Sequence, residues 1–92
     1  MDLISLWEIH CEASWPASLG TLEGELMTLD TVISGCARYY LSENRLDLQR
    51  IEILESCKND LESLLPDLHG EAQNYFDRLR TLARILLESA SP

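Results

Sequence analysis

Between residues 19 and 40 the apolar side chains Leu19, Leu22, Leu26, Leu29, Ile33, Cys36 and Tyr40 recur in alternating steps of three and four. That spacing lays them along one stripe of an α-helix with a heptad seam, and the period of two that a strand requires is missing. A lone helix would leave the stripe in water and gain little beyond propensity, so the rest of the chain must supply helices to cover it.

Two further stretches are patterned to do so. In 46–65 the stripe is Ile51, Leu54, Cys57, Leu61, Leu64 and Leu65, with Glu52, Glu55, Asn59, Asp60 and Glu62 turned outward and Leu48 and Ile53 off the line. In 68–89 it is Leu68, Ala72, Tyr75, Leu79, Leu82 and Leu86, flanked by Phe76, Ala83, Ile85 and Leu87. The polar run 42–45 is short enough to send the second helix back antiparallel, and Pro66 followed by Asp67 ends that helix and caps the next. The first long helix is expected over 18–41, with Ser18 as N-cap and Glu23 and Glu25 at its positive end. It also carries Met27, Val32, Tyr39 and Leu41 outside the seam, so it is expected at the centre of the bundle. Gly20, Gly24, Thr28, Thr31 and Gly35 form a stripe of small residues beside the seam, which predicts a closely packed neighbour.

Residues 1–16 have a weaker pattern. Leu3, Trp7, Cys11 and Trp15 fall at steps of four, Leu6 and His10 flank them, Glu8 and Glu12 face away, and Pro16 ends the segment. The expected fold is therefore all-α: a three-helix up-down-up bundle with a short N-terminal amphipathic helix or arm, forming one domain over 1–92, with a frayed end at 89–92.

Sixteen acids against seven bases leave a net charge of −9, and the first 37 residues contain Asp2, Glu8, Glu12, Glu23, Glu25 and Asp30 but no Lys or Arg. Such a surface repels nucleic-acid phosphates and anionic lipid and suits a basic protein. Arg78, Arg80 and Arg84 are the bases expected to meet the acidic first half. No apolar run approaches the roughly 18 residues of a membrane span, and an acid stands where a secretory signal carries a base, so a cytoplasmic protein is expected. The three cysteines do not follow metal-site spacing. In a hairpin turning near Asn44, Cys36 and Cys57 would be offset by roughly 8 Å, so free thiols are expected.

The chemical templates fail on geometry. There is no glycine-rich phosphate loop, and neither His10 nor His69 has a His or Cys partner at helical i+3 or i+4 spacing, so no metal or other cofactor is expected. Adjacent His10 and Cys11 diverge by about 100° on a helix, which separates a base from a thiolate. The acids are assigned to polar faces, and Tyr39, Tyr40 and Tyr75 to the core rim with hydroxyls in water. No catalytic residues are assigned.

The function these features suggest is a non-catalytic protein–protein interaction module, acidic and homodimeric, because the first and last long helices carry more apolar positions than a three-helix core needs. Trp7, Trp15, Met27 and Tyr39 are its candidate apolar contacts, and Glu8, Glu12, Glu23, Glu25 and Asp30 its candidate acidic ones. One alternative is a neutralising protein, of the immunity or antitoxin kind, that presents this acidic face to a basic partner. Another is a small-ligand carrier or enzyme with a pocket inside the bundle.

Overall fold

The computed structural model describes residues 2–90; Met1, Ser91 and Pro92 lie outside the described residues, and with the last two goes part of the expected frayed end. Four α-helices pack together, and no strand occurs among the described residues: α1 Leu3–Glu12, α2 Glu23–Glu43, α3 Leu48–Leu64 and α4 Gly70–Ala90. Ser89 and Ala90 are still within α4.

Each boundary has a local cause. Asp2 caps α1 by accepting the Ser5 N–H at 2.7 Å, and Asp47 caps α3 by accepting the Arg50 N–H at 2.8 Å. α1 stops at Glu12, earlier than expected. Pro16 bars Trp15 from helical geometry and its ring would meet the Glu12 carbonyl, so 13–16 run as a connecting segment. Ser18 does not cap α2. Its φ of 61° places it in the left-handed region, and a 3-10 turn Gly20–Leu22 intervenes before α2 begins. Asn44, with φ 58° and ψ 26°, ends α2 by the left-handed cap that its short polar side chain tolerates. Asp67 lies inside a second 3-10 turn, Leu65–Asp67, and so stands short of the start of α4.

α4 lies at the centre, where the wide apolar arc of the first long helix had suggested α2. It packs against α1, α2 and α3, and its buried residues are Tyr75, Phe76, Leu79, Leu82, Ala83 and Leu86. Phe76 and Ala83, which the heptad leaves on the flanks, widen its stripe enough to serve three neighbours. Leu26 and Ile33 from α2 and Leu54 and Leu61 from α3 meet it with no exposed surface. Of the extra apolar residues of α2, Met27 is 50% exposed and Leu41 39%, while Val32 and Tyr39 are half-buried.

α1 is turned by about one residue step from its expected face. Leu6 and His10 are buried, Leu3 and Trp7 are half-buried, and Cys11 is exposed. Trp15 belongs to the connecting segment, so the steps of four that join it to Leu3, Trp7 and Cys11 do not describe a helix face. The small-residue stripe of α2 likewise has no packed neighbour in the chain: a Cβ at Gly24 or Gly35 would meet nothing within 4 Å.

Candidate functional site

The turn of α1 puts an imidazole into the bundle, and three other helical positions receive it. His10 Nε2 lies 2.7 Å from Asp30 Oδ1, and the Ser34 hydroxyl is 3.4 Å from the same nitrogen. Ser34 also donates to Asp30 Oδ1 at 3.5 Å, one helical turn along α2. From α4 the Tyr75 hydroxyl donates to Asp30 Oδ2 at 3.2 Å. Asp30 is therefore the hub of a polar cluster joining α1, α2 and α4, and not a member of an outward acidic face. With the proton on Nε2, His10 donates to the carboxylate and its Nδ1, which has no partner, is a lone pair and not a stranded N–H.

Aromatic rings close around this cluster. His10 lies 6.0 Å from the Trp7 ring and 5.0 Å from Tyr75, while Trp15 meets Tyr75 and Phe76 edge-on at 5.6 Å each. Burial is the first cause that raises the Tyr75 phenol above its ordinary value, and the charge of Asp30 and the bond to it add to the effect. Tyr75 is thus a core residue whose hydroxyl reaches a carboxylate, where a core-rim position in water was expected.

Ser, His and Asp in contact invite comparison with a nucleophile relay, and the geometry answers it. A relay places the acid and the serine on opposite ring nitrogens, so that the imidazole can pass a proton between them. Here both address Nε2, and Ser34 is buried. The arrangement ties helices together. Among the described residues no group of three or more His, Cys, Asp and Glu side chains could hold a metal ion.

The other candidate contacts lie around this centre. Trp7 and Trp15 are half-buried against their own chain, Trp7 beneath the Arg38 guanidinium at 5.7 Å and Trp15 donating its indole N–H to Glu23 at 3.2 Å. Tyr39 is half-buried under Arg50, whose guanidinium carbon is 3.7 Å from the ring centre. Glu8, Glu12, Glu23, Glu25 and Met27 are exposed. Of the late arginines, Arg80 pairs with Asp77 and Glu62 and Arg84 with Glu88, neither in the acidic first half, while Arg78 lines a groove with residues 13–16. All three cysteines are free thiols, and burial raises the pKa of Cys36 and Cys57.

Two surface grooves emerge only in three dimensions. One, of about 560 Å³, opens between the first turn of α1 and the last of α2, with Leu3, Ile4, Tyr40 and Leu41 as its apolar lining and Asp2 and Asn44 on its edge. Ile4 is 59% exposed there. The other, of about 390 Å³, lies between the 13–16 segment and α4. Comparison with protein-family models, with curated proteins and with solved structures finds no match to this chain.

Proposed function

We propose that this chain is a small acidic helical module that works by binding proteins, and that its first partner is a second copy of itself. The observation that carries the reading is the groove between α1 and α2, where Ile4 and Leu41 stand exposed beside Leu3 and Tyr40. Ile4 projects from the same patch that forms the recess. A two-fold axis would let each copy insert that side chain into the other, the self-complementary arrangement of an isologous dimer. In this reading α2, α3 and α4 run up-down-up, joined by short connections, and α1 is the clasp that completes the dimer surface. The proposed setting is the cytoplasm, where three unpaired thiols are stable.

Sedimentation across salt concentration tests it. Two copies at −9 repel, so screening should strengthen an apolar dimer as salt rises. Ile4→Glu should give a monomer of unchanged helicity. A monomer at high micromolar concentration in both low and high salt would overturn self-association. Neutralisation of a basic partner is the second reading, favoured by the exposure of Glu8, Glu12, Glu23 and Glu25 in a stretch without bases. It predicts the opposite salt response, an association rate that falls steeply as salt rises.

A further inference from the structure

Of the seven bases in the chain, Arg50, Lys58, Arg80 and Arg84 each pair with a carboxylate. Arg78 is different. Among the described residues its guanidinium has no acidic partner, and its Nε is sealed from water without an acceptor. It lies 5.7 Å from the centre of the Tyr75 ring and lines the 390 Å³ groove together with Trp15, Pro16, Glu71 and Asn74. Glu71, Asn74, Tyr75 and Arg78 follow one another at i, i+3, i+4 and i+7, so α4 presents them on a single face. The Trp15 edge contacts with Tyr75 and Phe76 hold the opposite wall in place.

We propose that this groove binds a carboxylate carried on a flat aromatic body, with Arg78 as the partner of the anion and the Trp15 side chain as the apolar wall. The planar guanidinium fork matches the two oxygens of a carboxylate, which would meet its terminal nitrogens. Asn74, one turn away, can donate to the same group. A phosphate dianion fits less well, because a single cation faces it and Glu71 lies two turns, about 10 Å, along the helix. The volume falls within the range of small-molecule sites. The chemistry serves a free aromatic acid and a peptide ending in an aromatic residue equally, and this groove shares no residue with the one between α1 and α2.

Two-dimensional NMR of the full chain tests the site, with phenylacetate and N-acetyl-Gly-Phe as probes and phenethylamine and inorganic phosphate as controls. The Trp15 indole N–H and Arg78 Nε–H signals should shift saturably with one or both carboxylates and stay still with the controls. Arg78→Gln should weaken binding about tenfold or more, while Arg84→Gln, the same charge change elsewhere on α4, should leave it intact. If Arg78→Gln does not fold, Arg78→Lys keeps the charge but loses the fork and should also weaken binding. Binding of the dipeptide alone assigns the site to peptide carboxyl ends, and binding of phenylacetate alone assigns it to a free acid. No saturable shift at millimolar probe, equal binding of phosphate, or affinity indifferent to both Arg78 variants would overturn the proposal.

Discussion

Removing Asp30 should destabilise the fold more than its half-buried position suggests, and a double-mutant cycle with Tyr75 shows why. In Asp30→Ala the Tyr75 hydroxyl, on a residue 6% exposed, loses its acceptor, and the His10 ring, with a side chain 5% exposed, keeps only the Ser34 hydroxyl at 3.4 Å. A buried polar group left without a partner costs about 1–3 kcal/mol; with His10 keeping that weak contact, the two together should cost about 2–4 kcal/mol. Total stability for a chain of this length is on the order of 5–14 kcal/mol, so the loss is a sizeable fraction. Tyr75→Phe alone removes one hydroxyl-to-carboxylate bond. Asp30 keeps His10 and Ser34 and is one-fifth exposed to water, which places that cost near the low end, at about 1.5 kcal/mol.

The two changes should not add. Once Asp30 is gone, Tyr75→Phe deletes a hydroxyl that no longer has an acceptor, so it should cost nothing or recover about 1 kcal/mol. The coupling energy is then about 1.5–2.5 kcal/mol, well above the few tenths expected of independent sites. Urea denaturation followed by far-ultraviolet circular dichroism measures all four corners of the cycle, with constant m-values as the check that compactness is unchanged. A coupling below about 0.3 kcal/mol would refute the claim that this carboxylate joins α2 to α4.

Two further outcomes follow from the same structure. Because the Tyr75 phenol titrates higher in the folded chain than in the unfolded one, its stabilisation is complete below about pH 10 and is lost as pH rises toward the folded value. Denaturation midpoints should fall from about pH 8 to about pH 11, and less steeply in Tyr75→Phe; equal slopes would refute the assignment. Gly35→Ala on α2 should raise stability by about 0.5–1 kcal/mol, since the added Cβ meets open space and the unfolded chain loses freedom. A lower melting temperature in dilute protein would show that the position is constrained.

How far the fold could be read in advance depends on the range of the interactions that decide each part. Leu26, Leu29, Ile33 and Cys36 are buried as their spacing demands, and so are Leu54 and Leu61 on α3 and Leu79, Leu82 and Leu86 on α4. Burial there is a property of one helix and its apolar face, so periodicity suffices. The grooves were not legible in this way, because Leu3 and Tyr40, or Trp15 and Arg78, meet only when separate elements dock. The small stripe of Gly24 and Gly35 misled for the complementary reason: smallness permits close approach but does not cause it.

α1 shows the limit most clearly. A polarity pattern assigns His10 to a flank and Asp30 to solvent, because each is unfavourable to bury alone. Buried together they satisfy one another across 20 positions of sequence, and Tyr75 completes the set from 45 positions further on. The unfavourable terms belong to single residues, while the compensating ones belong to a triple that exists only after folding. That difference turns the helix: with a carboxylate opposite it, an imidazole can occupy the face where the cysteine was expected, and Cys11 moves out to water. The same argument applies at the surface. Trp7 and Trp15 pack against rings and charges of their own chain, whereas Ile4, Met27, Leu48 and Ile53, with no such contacts, keep 42–71% of their surface in water.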